Sequence, residues 1–334
     1  MTEAADSGVV RELLLPLSRF LQDDSLYEVI VNEPGKVVTE GADGWQAHEI
    51  PVLSYERLMR LARVIASFSN QSIDETHPIL SAALPDDERI QIVIPPATTR
   101  GTVSLTIRKP SSVTLNLDDL DFRGLFADVA RAGKTDQSVE ELSELYRNGA
   151  YKQFLREAVL ARKNIIISGA TGSGKTTLCK ALIRYIPESE RVISIEDTPE
   201  LVIPHPNHVR LFYSKGGQGT SKIGAKDLLE SCLRMRPDRI LLQELRDGTA
   251  FYYIRNVNSG HPGSITTVHA GSARLALEQL TLLIKESERG GDLDRHDIRE
   301  MLMLAIDVIV QCKRIDGQFR VTEIYYRDAC DLEK

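Results

Sequence analysis

Eight residues constrain this chain more than any others: Gly169-Ala170-Thr171-Gly172-Ser173-Gly174-Lys175-Thr176, which satisfy G-x-x-x-x-G-K-[ST] at every fixed position. An apolar run, Asn164–Ser168, precedes them and a helical pattern, Lys175–Tyr185, follows. Strand, glycine-rich turn, helix: this order opens a parallel α/β unit and makes an anion cradle at the strand's carboxyl end. Glycines let backbone N–H groups wrap close to phosphate oxygens, an approach that a Cβ would block. The helix points its amino terminus at the anion. Lys175 is positioned to reach the β- and γ-phosphates of a nucleoside triphosphate, and the Thr176 hydroxyl to bind Mg²⁺.

The rest of the chain sorts into two patterns and a connector. Its 334 residues are enough for two domains of roughly 100–200 residues each. Residues 1–110 read as a small α+β domain. Val9–Leu21 is an amphipathic helix interrupted by Pro16, and strands are expected at Tyr27–Val31, Lys36–Glu40, Arg89–Ile94 and Thr102–Arg108. Ser54 caps a helix with Leu58, Leu61, Ala62 and Ile65 on one face. Residues 111–149 read as a linker, with a loop-like acidic stretch, Leu115–Phe122, and a helix opened by the capping-box spacing Ser138–Glu141. From 150 to 334 strands and helices alternate, with strands expected at Arg191–Ile195, Val209–Phe212, Arg239–Gln243 and Ser264–Val268. That alternation predicts a mostly parallel sheet covered by helices.

Composition excludes some classes. A net charge of −7 argues against a protein whose main work is coating nucleic acid, so direct sequence-specific recognition of nucleic acid is not expected. Cys179, Cys232, Cys312 and Cys330 form no C-x-x-C pair, and a zinc site is not expected. The polar stretch Met1–Gly8 lacks the basic start of a secretory signal, and apolar runs such as Ile165-Ile166-Ile167 are far too short to span a bilayer. A cytoplasmic location is expected, with any membrane contact made through partners.

Acids stand at the ends of the predicted strands. Ile240-Leu241-Leu242-Gln243-Glu244 is an apolar strand ending in a carboxylate, where a P-loop enzyme needs one to hold the metal's water shell or polarise the attacking water. Glu196, Asp197 and Glu200 follow strand Val192–Ile195, either as a solvated acidic turn or as acids that share metal and water. His269 ends an apolar strand, where an imidazole serves either packing or a hydrogen bond to the γ-phosphate.

Four boxes therefore stand in order: Gly169–Thr177, Arg191–Leu201, Leu233–Arg246 and Asn258–Ala270. Together they resemble the Walker A, Asp box, Walker B and His box of the secretion traffic ATPases, most closely the small cytoplasmic ATPase of type IV secretion and conjugation. Glu88–Pro96 and Gly101–Pro110 resemble the end of that group's amino-terminal domain. The resemblance implies a RecA-like P-loop domain and a homo-hexameric ring that hydrolyses Mg-ATP. It also implies partners among other secretion ATPases and inner-membrane components, with a peripheral place at the inner face of the inner membrane. It implies that Thr177 joins the nucleotide contacts, that Arg89 and Arg108 reach the nucleotide from the amino-terminal domain, and that Lys175, Glu244, Glu200 and His269 are catalytic. Thr176, Glu196, Asp197 and Glu244 are the implied metal residues, and either Glu244 or Glu200 is the base. Two positions depart from the group's pattern: Gln243 replaces the usual Gly before the Walker B Glu, and Asp247 stands where Gly is usual, with Gly248 one place later. The alternatives are a pilus or type II secretion ATPase, a nucleotide-gated docking module with little turnover, and a metabolic kinase.

Overall fold

A computed structural model describes residues 2–110, 116–127, 129, 137–214, 216 and 219–330. Helix α1 (Thr2–Leu14) passes through a tight turn at Leu15–Leu17, where Pro16 withdraws a backbone donor, into the short α2 (Ser18–Leu21). Strands β1 (Leu26–Val31), β2 (Lys36–Gly41) and β3 (Gly44–Glu49) precede helix α3 (Tyr55–Phe68). Strands β4 (Ile79–Ala83), β5 (Arg89–Val93) and β6 (Ser104–Arg108) complete an antiparallel sheet ordered β3-β2-β1-β6-β5-β4. The Ser54 hydroxyl accepts the Arg57 N–H at 3.3 Å and so caps α3, whose buried face of Leu58, Leu61, Ala62 and Ile65 joins Val29, Ile92 and Leu105 in one core. Strands β3 and β4 had no clear signal because both are edge strands, paired on one side only, and carry few buried residues.

The acidic stretch expected as loop contains a helix, α4 (Leu117–Phe122). Asn116 and Asp119 form a reciprocal capping box, with the Asp119 N–H donated to Asn116 Oδ1 at 2.8 Å and the Asn116 N–H to Asp119 Oδ2 at 3.2 Å. Helix α5 (Gln137–Arg147) takes in Ser138 and Glu141. Connector residues 111–115, 128 and 130–136 lie outside the described residues.

Helix α6 (Tyr151–Leu160) leads into β7 (Ile165–Gly169), α7 (Lys175–Ile183), β8 (Val192–Glu196), β9 (His208–Phe212), α8 (Ala225–Cys232), β10 (Arg239–Leu242), α9 (Thr249–Asn258) and β11 (Ile265–Val268). Helices α10 (Ala273–Lys285) and α11 (Arg295–Ala305) and the hairpin β12 (Val308–Ile315) and β13 (Gln318–Tyr326) follow. The ladders β10-β8-β9 and β11-β7-β12 are parallel, and β12–β13 is antiparallel. Strands β10 and β11 meet side by side, the Leu245 N–H donating to Thr267 O at 2.9 Å and the Ser264 hydroxyl to Ile240 O at 2.6 Å. The mostly parallel α/β fold with a preceding α+β unit is as expected. Its consequence for function is that β7, β8, β10 and β11 all end at one edge of the sheet.

The antiparallel sheet packs near the other edge. Buried Arg191, just before β8, donates to Asn32 Oδ1 at 2.8 Å and to Met235 O at 2.9 Å. Arg236 pairs with Glu40, and Gln91 donates to Ser231 Oγ at 2.9 Å. Glu28 is buried here with Arg108 Nε 3.3 Å from Oε1, while Oε2 has no hydrogen-bond partner among the described residues. Burial outweighs Arg108 and pushes the Glu28 carboxyl up from 4.5 to about 7. The folded chain thus binds more protons than the unfolded one between these values, and stability falls as pH rises through about 7. Between about pH 5.5 and pH 8.5, urea unfolding of Glu28→Gln should gain about 2 kcal/mol on the wild type. A constant difference, or one that reverses, contradicts this.

Candidate active site

The cradle forms where β7 ends. Its first glycine is fixed by contact: a Cβ on Gly169 would collide with Ser173 Oγ and lie 2.5 Å from the Cys312 carbonyl oxygen. Its last is fixed by conformation as well, because Gly174 caps α7 at φ +92°. Lys175 is buried, and its Nζ donates to Gly169 O at 2.9 Å and Ala170 O at 3.0 Å, which puts the ammonium at the centre of the loop. Burial lowers the Lys175 pKa, and the Glu244 carboxylate works in the opposite direction. The Ser173 hydroxyl is buried and has no hydrogen-bond partner among the described residues. A loop with a central cation, an unpartnered buried hydroxyl and a helix amino terminus suits a phosphate chain.

The acids converge beside it. His269 Nδ1 is 3.4 Å from Lys175 Nζ, and its Nε2 is 2.7 Å from Glu244 Oε1. An ammonium has only protons to offer, so Nδ1 accepts from Lys175, while Nε2 makes a close polar contact with Glu244 Oε1, an atom without an aligned hydrogen-bond donor among the described residues. Arg246 pairs with Glu244 Oε2 and donates to Asp197 Oδ2 at 2.8 Å. The result is a continuous polar chain, Lys175–His269–Glu244–Arg246–Asp197, built from four segments of distant sequence. Thr176 Oγ1 lies 3.5 Å from Glu200 Oε2. These carboxylates and the Thr176 hydroxyl are hard oxygen donors of the kind that Mg²⁺ takes.

Glu196 differs from its expected role. Its carboxylate accepts Arg210 Nε and Nη2 at 3.0 and 2.9 Å, the Ser194 hydroxyl at 2.8 Å, and the N–H groups of Glu200 and Leu201 at 2.9 and 2.8 Å. Fully buried and saturated by five donors, it anchors the Asp-box turn instead of offering an oxygen to a metal. Arg210→Ala would strand this carboxylate and should cost about 3–5 kcal/mol. A denaturant midpoint corresponding to a loss below about 1 kcal/mol would contradict that assignment.

A family model described as type II/IV secretion system protein matches residues 12–319. The chain belongs to the type II/IV secretion system family. It is a P-loop ATPase of that family. The chain is 58% identical over 331 residues to the type IV secretion system protein VirB11 of Bartonella henselae, covering 96% of this chain and 93% of that one. It is 46% identical to VirB11 of Brucella suis, covering 94% and 89% respectively. The crystal structure of the VirB11 ATPase from the Brucella suis type IV secretion system, in complex with sulphate, superposes with a TM-score of 0.92 at 43% identity, covering 97% of this chain and 96% of that one.

The two departures from the family pattern have physical accounts. The buried Gln243 accepts the Asp197 N–H at 3.2 Å, which ties the end of β8 to the end of β10. Asp247 Oδ1 accepts the Thr249 N–H at 2.8 Å at the start of α9. Gly248 lies so close to Ser287 that a Cβ would be 2.8 Å from its Cα. Arg246 keeps its ion pairs despite both changes.

Arg89 and Arg108 do not join the secretion ATPase's cradle within one chain. They face each other in register on β5 and β6 and line a cavity of about 290 Å³ with Glu28, Arg234 and Arg236. Arg234 and Arg236 immediately precede β10, so this cavity lies at the amino-terminal edge of the parallel strands, opposite the P-loop. Arg210 and Arg246 were not singled out by sequence. The available signals were an arginine inside an apolar strand next to a strand-end acid, and one two residues beyond Glu244.

Proposed function

We propose that this chain hydrolyses Mg-ATP as one subunit of a hexameric motor that energises a type IV secretion or conjugation machine. The polar chain from Lys175 through His269 to Glu244 carries this reading, since it links the phosphate cradle to a strand-end carboxylate. Lys175 and the loop amides of Gly169 to Thr177 hold the phosphates. Thr176 and the neighbouring Glu200 would hold Mg²⁺, with Glu244 and Asp197 as further candidate oxygen donors through water, and the ion would supply charge neutralisation to the phosphates. Glu244 orients water and takes its proton as the water oxygen bonds to the γ-phosphorus and the bond to the ADP oxygen breaks. His269 fixes Glu244 on one side and senses Lys175 on the other. Glu200 is the remaining candidate for the base.

Arg89 and Arg108 serve the reaction of a neighbouring subunit in this reading. With Arg234 and Arg236 they gather four cations at the edge remote from their own P-loop. In a closed ring that edge of one subunit meets the cradle edge of the next, and arginines supplied in trans to a transferring phosphoryl group contribute about 10³–10⁵-fold. Residues 1–110 and 150–334 act as separate units about the connector 111–149, so loss of the γ-phosphate releases the arginine-bearing unit and produces movement. The chain acts at the inner face of the inner membrane through other secretion ATPases and membrane components. No helix among the described residues is long and apolar enough to cross a membrane.

Native mass measurement with and without Mg-ATP, paired with steady-state phosphate release, tests the proposal. A hexamer with continuous turnover is expected. A monomer, or a hexamer that binds ATP with no sustained release, would replace the motor by a nucleotide-gated docking module.

A further inference from the structure

The hairpin β12–β13 presents an aromatic side chain that the core does not use. Phe319 is 58% exposed, in a strand whose first six residues all face solvent. Its ring lies against the P-loop: a Cβ built on Gly174 would meet Phe319 Cγ at 2.8 Å and Cδ1 at 3.1 Å. Glycine at 174 thus leaves room for this ring as well as for the backbone turn. An apolar ring kept more than half in water has lost the burial that would stabilise it, by about 1.5–3 kcal/mol for a full side chain. Its position beside an anion cradle suggests a ligand that covers it.

Strand order gives the direction of that ligand. Glu244 and His269 stand at the ends of β10 and β11, on one flank of β7. Strands β12 and β13 lie on the other flank. A triphosphate whose γ-phosphate faces Glu244 therefore carries its ribose and base toward the hairpin. There Phe319 offers a face and Arg314, its cross-strand partner, holds its guanidinium 6.0 Å from the ring centre. Beyond it a groove of about 450 Å³ runs between α6, α7 and β13, lined by Tyr151, Leu178, Tyr185 and Val321. The phosphate, sugar and base of one nucleotide thus meet, in order, a cationic loop, an open helix shoulder and an aromatic face with an apolar groove behind it.

We infer that Phe319 is the platform on which the purine base of the bound nucleotide stacks, with Arg314 at its rim. This rests on the reading of the cradle as an ATP site. Stacking on an aromatic ring is tolerant of base identity and contributes about 1–3 kcal/mol per base, so its loss weakens binding by roughly 5–150-fold.

The test is calorimetric titration of the full-length protein with ATP and, separately, with inorganic tripolyphosphate, which has no base. Phe319→Ala should raise the Kd for ATP at least about fivefold, leave the Kd for tripolyphosphate within about twofold, and raise KM while kcat at saturation stays within about twofold. Phe319→Tyr should restore ATP affinity. Equal ATP affinity in Phe319→Ala and wild type overturns the inference. Equal weakening of ATP and tripolyphosphate also overturns it, since that would make the ring a packing support for Gly174. A wild-type protein that binds neither ligand overturns the ATP-site reading beneath it.

Discussion

Lys175→Ala will release phosphate from Mg-ATP at least about 10²–10³-fold more slowly than wild type, the scale on which one preorganised stabilising group is lost. The geometry explains why a single side chain matters so much. The Lys175 ammonium is buried at the loop centre, between two carbonyl oxygens and 3.4 Å from His269. No other cation is contributed by the loop residues, so nothing within the cradle can replace its charge. The fold should survive, because truncation removes a charge whose burial is itself unfavourable; far-ultraviolet circular dichroism and the melting temperature check this. Turnover within tenfold of wild type in a folded variant would refute the assignment.

Glu244→Gln should separate binding from hydrolysis. Glutamine keeps the shape beside His269, but it neither takes a proton from water nor pairs ionically with Arg246. The kcat is expected to fall by about 10²–10⁴-fold, the usual contribution of a positioned base, with ATP affinity largely kept. Single-turnover phosphate release and equilibrium binding measure the two effects separately. Loss of binding would give Glu244 a structural role. If Glu200→Gln loses more kcat than Glu244→Gln, the base is Glu200, whose carboxylate lies 3.5 Å from the Thr176 hydroxyl.

The cradle was legible because phosphate chemistry fixes residue type at Gly169, Gly174, Lys175 and Thr176 at a set spacing. The central strands were legible because strands buried on both faces are continuous apolar runs, as Ile165-Ile166-Ile167 is. Their order was not. The pairing of Glu196 with Arg210, fourteen positions away, depends on β9 lying beside β8, and an apolar run does not specify its neighbour. The same gap hid the fact that Arg89 and Arg108 share a register position remote from their own P-loop. Edge strands escaped for another reason. Strand β13 pairs on one side and exposes most of its residues, so its alternation is weak, and with it went any view of Phe319 over Gly174. Helix α4 was hidden because its acidic residues resemble loop composition, although the Asn116–Asp119 box marks its start.

The central claim, that Gly169–Thr176 holds a triphosphate beside Glu244, is tested most directly by solving the structure of the protein with Mg²⁺ and a non-hydrolysable ATP analogue. The account predicts β- and γ-phosphates within hydrogen-bond reach of Lys175 Nζ, and the γ-phosphate facing Glu244. An empty loop with the analogue bound elsewhere, or a γ-phosphate turned away from Glu244, would contradict it.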